Sequence, residues 1–291
     1  MDIDNWDEIR TAYHVARLGT VSGAADALGV HHATVIRHVD ALEDRLGVKL
    51  FQRHARGYTP TEAGEELLRV AQVTADQFSQ LAGRLRGRGA AMTGDLTVTT
   101  VDSLTPLLVP VLSGFQAEHP ELTLRLMADS RLYRLEYGEA HVAVRAGGQP
   151  DEPDNIVQRL YTLRYALYAS NGYVATHGRL GEDMSAHFYV GPSDEDHRAP
   201  FNRWLKARAP SDRVGFRASD ARAQVEAVVA GAGIGFVPVW WAERLPGLEQ
   251  MHPPLAEWDV PLWLVTHVDL HRTAKVQSLT TRLKDAAKEW P

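Results

Sequence analysis

Apolar residues in the first fifty positions recur at the spacing of amphipathic helices. This pattern predicts a helix over 5–18, a second over 23–28 and a third over 32–46. Ser22 is a suitable N-cap for the second helix, and Gly29 allows a tight turn before the third. Two short helices joined by a glycine turn predict a helix-turn-helix.

The third predicted helix has one apolar stripe and an opposite face of small and basic residues. The stripe consists of Val35, Val39, Leu42 and Leu46. At 100° per residue, Ala33 and Arg37 lie almost opposite it, and Thr34 lies beside them. Small residues allow close approach, and an arginine can reach a guanine edge or a phosphate, so this face is suited to DNA.

Short strands over 49–53 and 58–59 are predicted after this helix and would form a wing. Thr59 with Pro60 and Glu62 offers a capping box for the next helix, and Thr61 is an equally good cap. This long helix carries a heptad-like apolar seam, which is suited to pairing with another helix. The seam residues are Leu67, Ala71, Thr74, Phe78, Leu81 and Leu85. The glycines and small residues of Gly87–Gly94 then predict a flexible joint.

Beyond Gly94 strands and helices alternate, which predicts α/β domains with largely parallel sheets. Strands are predicted over 95–101, 122–128, 141–145, 188–191, 214–218, 234–238 and 262–267. Helices are predicted over 104–118, 131–137, near 197–207, and over 221–230 and 275–288. The expected fold class is therefore α/β with an all-helical N-terminal part.

Composition limits the kind of protein this is. The 291 residues suffice for about two domains, and the absence of cysteine excludes disulfides and thiolate metal sites. The acidic N-terminus and the lack of a long apolar run predict a cytoplasmic protein without a membrane contact. The net charge is −6, yet residues 29–58 hold five Lys or Arg against three Asp or Glu. That local basic patch is a possible footprint for phosphate.

Three other chemistries are weaker interpretations. His31, His32 and His38 do not converge as metal ligands on a helix, and no cysteine or well-placed carboxylate completes a set. The stretch 193–197, "SDEDH", contains the residue types of a catalytic triad in a single polar loop. "GAGIG" at 231–235 follows a helix and precedes a strand, the reverse of a dinucleotide loop. We therefore expect no metal, no cofactor and no enzymatic activity.

The first 66 residues resemble the winged helix-turn-helix of LysR-type transcriptional regulators. The residues that carry the resemblance are Ala24, Ala25, Leu28, Val35, Leu42, Glu43, Leu46, Gly47, Leu50, Phe51, Arg53, Thr61, Ala63 and Gly64. Later segments are similar to the effector domain of this family, so the resemblance covers essentially the whole chain. They are "HP" at 119–120, "VAVR" at 142–145, "ALYAS" at 166–170 and "VVAGAGIGFVP" at 228–238.

Three departures from the family pattern concern particular positions. His31 and His32 stand where the family commonly has Ser-Gln, and Ile36 where it commonly has Ser or Thr. His141 stands where Asp is common. Because the first two departures lie at the recognition helix, the operator sequence cannot be transferred from relatives.

The resemblance implies a domain order. We expect a winged helix-turn-helix over 1–60, a linker and dimerisation helix over 61–88, a hinge over 89–94 and an effector domain over 95–291. The effector domain would be periplasmic-binding-protein-like, with subdomain I over about 95–162 and 268–291 and subdomain II over about 163–267. Two crossing strands near 162–168 and 262–267 would join the subdomains.

These expectations give a function and a set of site residues. The chain would be a regulator that binds double-stranded DNA as a dimer or dimer of dimers and responds to a small effector such as a carboxylate. Alternatives are an effector-independent DNA-binding protein or, less favoured, an α/β enzyme. The expected DNA contacts are His31, His32, Ala33, Thr34, Arg37, His38, Arg53 and Arg56. The expected effector contacts are Thr100, Asp102, Ser103, Ser130, Arg145, Ser193 and Ser219.

Three of these residues have an alternative structural role. Phosphate contact is expected for one of Arg53 and Arg56, and Arg53 can instead form a structural salt bridge. Arg145 can bind a carboxylate through both arms of its guanidinium or pair with Asp102. His31 can contact phosphate or serve as a neutral cap of the third helix.

Overall fold

The computed structural model describes residues 5–54, 57–85, 92–194 and 196–291. The N-terminal part is a three-helix unit with a two-stranded wing, followed by a long helix. Its elements are α1 (Trp6–Leu18), α2 (Val21–Leu28), α3 (His32–Leu46), β1 (Phe51–His54), β2 (Gly57–Pro60) and α4 (Glu62–Leu85). β1 and β2 pair antiparallel.

The winged unit has its own apolar core. α1, α2 and α3 pack around Ala12, Val15, Ala24, Val35, Val39 and Leu42, and Leu50 and Phe51 close the core beneath the wing. The predicted apolar stripe of α3 forms one side of it. Burial of a single stripe is what an amphipathic helix requires, and it leaves the opposite face of α3 to solvent.

The caps explain where these helices begin and end. Gly19, Gly29 and Gly47 adopt left-handed φ near 68–69° and end α1, α2 and α3. The predicted Ser22 cap is wrong: Thr20 Oγ1 accepts a hydrogen bond from Gly23 N, and α2 begins at Val21. The Thr59 capping box is also wrong, because Pro60 lies in β2 and Thr61 Oγ1 accepts from Gly64 N.

Two α/β subdomains follow. Their strands are β3 (Gly94–Thr100), β4 (Leu122–Ala128), β5 (Val142–Ala146), β6 (Asn155–Leu163), β7 (Tyr165–Ser170), β8 (Val190–Pro192), β9 (Phe216–Ala218), β10 (Gly235–Pro238), β11 (Leu248–His252) and β12 (Val260–His267). Their helices are α5 (Thr105–Glu118), α6 (Asn171–His177), α7 (Pro200–Arg208), α8 (Ala221–Val229), α9 (Val239–Ala242), α10 (Val268–His271) and α11 (Ala274–Ala287). Of the helices described, none is long and apolar enough to span a bilayer.

The sheets are more mixed than predicted. Subdomain I has the strand order β4-β3-β5-β12-β6, in which β4, β3 and β5 are parallel and β12 runs antiparallel to β5 and β6. In subdomain II, β7 pairs antiparallel with β10 and β11, and β8 pairs parallel with β9. The consecutive strands β3–β4 and β8–β9 are each joined through a helix, α5 and α7, and each pair is parallel, as such a crossover requires.

Two predictions about this half of the chain are wrong. Residues 131–134 are not helical, and only Leu135–Tyr137 forms a 3-10 turn. β12 was expected to cross between subdomains, but it already pairs with β5 and β6 in subdomain I. The chain crosses at Arg164, between β6 and β7, and again over 253–259, between β11 and β12.

His141 is buried at the start of β5 and shapes this core. Its Nδ1 accepts a hydrogen bond from Thr97 N at 3.0 Å. Burial and, after it, the charge of Lys275 lower the pKa of His141 to about 3. The ring is therefore neutral at ordinary pH, and its role here is structural.

Candidate nucleic-acid interface and effector cleft

The first two turns of α3 present a solvent-exposed surface. His32, Ala33, Ile36 and Arg37 are exposed, whereas Val35 and Val39 are fully buried in the core. Thr34 is half-buried. The sequence-predicted contacts His32, Ala33, Thr34 and Arg37 thus share the N-terminal half of one helix, the part that can enter a major groove.

His31 is the N-cap residue of α3 by backbone position, but its side chain makes no capping hydrogen bond. Its extended backbone (φ −75°, ψ 149°) leaves the imidazole exposed beside His32. The alternative role as a neutral side-chain cap is therefore wrong. Both imidazoles stand at the positive end of the helix dipole, where anions bind favourably.

His38 contacts α1. Its Nδ1 lies 2.9 Å from Thr11 Oγ1, and that hydroxyl also donates to the Asp7 carbonyl at 2.6 Å. Because the hydroxyl proton is used in the second bond, the ring N–H donates in the first. This contact ties His38 to the inside of the helix-turn-helix and argues against its expected role at DNA.

A buried carboxylate joins α3 to the wing. Glu43 Oε1 accepts from the backbone N–H of Leu50 at 2.9 Å and of Phe51 at 3.2 Å, and Oε2 accepts from Lys49 Nζ at 2.8 Å. Burial alone raises the pKa of Glu43, but the hydrogen bonds from Lys49, Leu50 and Phe51 outweigh it and hold that pKa below its usual value. Glu43 is therefore ionised and fixes where β1 starts.

Arg53 belongs to the same network. One of its terminal nitrogens donates to Asp40 at 2.5 Å and to Glu43 at 3.1 Å, and its guanidinium lies over the ring of Tyr58. These contacts are the structural salt bridge considered as the alternative for Arg53, and they argue against a phosphate contact by this residue. Arg56, the other wing arginine, lies outside the described residues.

The residues expected to contact an effector lie where parallel strands end. β3, β4 and β5 place their carboxyl ends at one edge of the subdomain I sheet, which brings together Thr100, Asp102, Ser103 and Ser130. β8 and β9 place Ser193 and Ser219 at the corresponding edge in subdomain II. Helix α8 contacts the 3-10 turn Asp102–Leu104, so the two edges face each other.

Thr100 has an unusual environment among these residues. The residue is only 4% exposed, and its Oγ1 has no hydrogen-bond partner among the described residues. A buried hydroxyl without a partner is unfavourable and calls for an explanation. By contrast, Asp102, Ser130, Ser193 and Ser219 are exposed and Ser103 is half-buried.

Arg145 is not free to face the cleft. Its Nη1 donates to Glu152 Oε1 at 2.8 Å, and its Nη2 donates to the Tyr133 carbonyl at 3.2 Å. Arg145 therefore forms a structural pair with a carboxylate, as the alternative predicted, but the partner is Glu152 and the predicted partner Asp102 is wrong. Burial raises the pKa of Glu152, and a backbone hydrogen bond together with Arg145 more than offsets this and lowers it.

Sequence reasoning missed Glu43 and Glu152 as structural residues. The signal for Glu43 was present, since an acid lies on the buried stripe of α3 with Lys49 six residues later. Glu152 lies in an irregular segment after β5, and nothing in its spacing indicates its partner. Over the described parts of the chain, no group of three or more His, Asp or Glu side chains is arranged to hold a metal ion.

Known families and relatives match both halves of the chain. "Bacterial regulatory helix-turn-helix protein, lysR family" matches residues 6–65, and "LysR substrate binding domain" matches residues 89–288. An HTH-type transcriptional repressor of Pseudomonas aeruginosa (strain UCBPP-PA14) is 30% identical over 267 residues, covering 86% of this chain and 83% of the relative. The regulator CrgA of Neisseria meningitidis serogroup C is 26% identical, covering 87% and 86%.

Solved structures show the same fold. ArgP from Mycobacterium tuberculosis superposes with a TM-score of 0.72 at 22% identity, covering 99% of this chain and 98% of that one. Full-length LysG from Corynebacterium glutamicum with bound effector Arg gives 0.67 at 24% identity, covering 98% of both. With a family match to each half and a relative at 30% identity over most of its length, the chain belongs to the LysR family of bacterial transcriptional regulators.

Proposed function

We propose that this regulator reads its operator with the first two turns of α3, using Arg37, Ala33, His31 and His32. The observation that carries the proposal is the exposure of these residues on one face while the opposite stripe is buried. An arginine can donate to O6 and N7 of guanine, and an alanine allows close approach. His38 and Arg53 are left out because α1, Asp40 and Glu43 already hold them.

The protein acts as a dimer in this proposal. Phe78 is 55% and Leu81 41% exposed on α4. The same side of α4 and the start of α1 line an apolar groove of about 870 Å³, and Trp6 packs edge-to-face on Phe78 within it. An α4 from a second copy fits this groove and would bring two α3 helices to two half-sites. A dimer of dimers would extend the same arrangement.

A small polar effector binds between the subdomains around Thr100. The Thr100 hydroxyl can donate to an effector oxygen, which would give this buried atom its missing partner. The first N–H groups of the segment from Asp102 into α5 lack a side-chain cap and can donate to the same group. An acceptor such as a carboxylate suits these donors, and Asp102 can bind a cationic group.

The effector would regulate DNA binding by changing the angle between the subdomains. Ligand closes a two-subdomain cleft by binding one arrangement more tightly, which shifts the population of conformations. Such a protein carries out no reaction, and we propose that this chain is not an enzyme. Amino acids are the first compounds to screen, since LysG has arginine as a bound effector.

The test of the DNA-reading surface uses the full chain and random duplex DNA. We expect selection to return a sequence with two half-sites. Arg37→Ala should weaken binding to that sequence by about 1–3 kcal/mol. If Arg37 contacts only phosphate, binding falls equally on all sequences and the salt dependence loses about one unit of slope. If Arg37→Ala changes neither the affinity nor its salt dependence, the proposal that α3 enters the major groove is wrong.

The test of the cleft is a melting-temperature screen with amino acids and short carboxylic acids. We expect one class to stabilise the wild-type protein, and Thr100→Val to abolish that shift while DNA binding persists. A protein that binds DNA but is stabilised by none of these compounds would favour the effector-independent alternative. Consumption of a stabilising compound would instead favour the enzyme alternative.

A further inference from the structure

The exposed face of α3 changes character along the helix. Its first two turns carry Ala33, Ile36 and Arg37, whereas its later turns carry Asp40 and Asp44. Asp40 is bonded to Arg53, but Asp44 is exposed and would approach DNA phosphates as a like charge. Only the first two turns therefore suit the groove, and the base-reading side chains must come from them.

Ile36 stands in that reading half and does not belong to the apolar core of the winged unit. It is 39% exposed, and it is the one large apolar side chain on the exposed face of α3. Ile36 is three residues after Ala33, and Arg37 is four after it, so both are neighbours of Ala33 on the helix surface. Arg37, Ala33 and Ile36 thus form one continuous patch.

The chemistry of an isoleucine limits what it can recognise. It has no hydrogen-bonding group, and covering a polar base edge with it would leave that edge without a partner. On the major-groove edges of the four base pairs, the apolar group is the C5-methyl of thymine. Isoleucine is β-branched and holds one strongly preferred χ1 rotamer in a helix, so its methyl groups are already positioned before binding.

We infer that Ile36 determines operator specificity by packing against the C5-methyl of a thymine close to the base pair that Arg37 reads. This inference rests on the proposed placement of α3 in the major groove. Ala33 contributes by being small, which lets the helix come close enough for the methyl contact. The operator half-site should accordingly contain a thymine that this chain requires for its methyl group.

The test begins with the duplex selected from random DNA by the full-length protein. Each thymine is then replaced singly by deoxyuridine, which removes the methyl and keeps Watson–Crick pairing. We expect one or two positions in each half-site to lose about three- to tenfold in affinity, as burial of one methyl group implies. Replacing the same thymine by cytosine should lose more, and 5-methylcytosine should recover part of that loss.

Ile36→Ala is the matched protein variant. It should bind the thymine duplex more weakly than wild type and should no longer distinguish thymine from deoxyuridine at those positions. Ile36→Val, which keeps two methyl groups, should remain partly sensitive. Because the residue is exposed, both variants should melt within a few degrees of wild type, which a thermal denaturation control checks.

Three results would overturn the inference. Deoxyuridine could be tolerated at every position, or Ile36→Ala could keep the full loss at the same positions. A selection that returns no preferred sequence would also overturn it. That result would contradict the proposed placement of α3 in the major groove as well. The two failures are distinguishable, because in the first two cases Arg37→Ala still weakens binding to the selected sequence.

Discussion

The carboxylate of Glu43 on α3 accepts a hydrogen bond from the backbone N–H of Leu50, 2.9 Å away at the base of the wing. Glu43 is almost fully buried, while its partner Lys49 is mostly exposed. One side chain on α3 therefore fixes the register of the segment that leads into β1. The Arg53–Asp40 pair and the packing of Leu50 and Phe51 in the core join the wing to α3 as well.

Glu43→Gln should destabilise the winged unit by about 2 kcal/mol, because the buried acceptor of the Leu50 and Phe51 N–H groups loses its charge and one of its oxygens is replaced by an amide nitrogen. Native-state hydrogen exchange at the amides of α1 to α3 measures this within the full chain. Asp40→Asn is the matched control, since it removes the more exposed partner of Arg53 and should cost less than about 1 kcal/mol. Equal effects of the two variants would contradict the central role of Glu43.

Glu43 also predicts a pH dependence of stability. Its folded pKa is lowered, so its contribution is present above the unfolded pKa of about 4.3 and is lost as pH falls through the folded value. Protection of α3 amides should therefore decline between about pH 5 and pH 3 more steeply in wild type than in Glu43→Gln. Parallel curves for the two proteins would assign the decline to other carboxylates.

The sequence predicted those features that depend on local pattern. The bounds of α3 follow from its apolar stripe and from Gly47, which ends the helix at φ 69°. The partners of His38 and Arg145 could not be predicted, because Thr11 is 27 residues away in another helix and Glu152 lies in an irregular loop. Segment 131–137 resembles a helix in its pattern, but residues 131–134 are irregular: the Arg131 backbone N–H donates to the Asp129 carboxylate, and the Arg131 guanidinium donates to Glu139.

We expect Phe78 and Leu81, the exposed apolar residues of α4, to form the contact between two copies in the dimer. Phe78→Glu with Leu81→Glu should abolish the dimer and, with it, tight binding to a two-part operator, because two charges would enter an apolar contact. Light scattering of the full chain measures the change. Phe188→Glu with Phe216→Glu is the matched control, since these aromatics are similarly exposed in subdomain II. A native oligomer in the α4 variant would mean that this groove serves only to pack α4 on α1.

The Arg145–Glu152 pair predicts a structural rather than a ligand-binding phenotype. Arg145→Ala and Glu152→Ala should lower the melting temperature of the full chain and show coupling in a double-mutant cycle, because they contact each other. Both variants should keep the melting shift given by the effector class found in the screen, whereas Thr100→Val should lose it. If Arg145→Ala alone abolishes that shift, Arg145 binds the effector after all.

The two histidines at the start of α3 predict that DNA affinity rises as pH falls. Imidazole is the side chain that ordinarily changes charge between pH 5 and 8, and a neighbouring phosphate favours its protonated form. Protons are then taken up on binding, so linkage requires tighter binding at lower pH, by up to about tenfold per pH unit for each proton taken up.

The measurement is operator affinity between pH 6 and 8 at constant salt, with non-specific DNA in parallel, because phosphate is the partner in both. His31→Ser with His32→Gln is the control variant, and it should bind with little pH dependence. His38 and His54 remain in that variant, so it separates the exposed pair from the ring held by Thr11 and from the imidazole on β1. A wild-type affinity that is flat with pH, or a slope that survives in the double variant, would show that His31 and His32 do not contact phosphate.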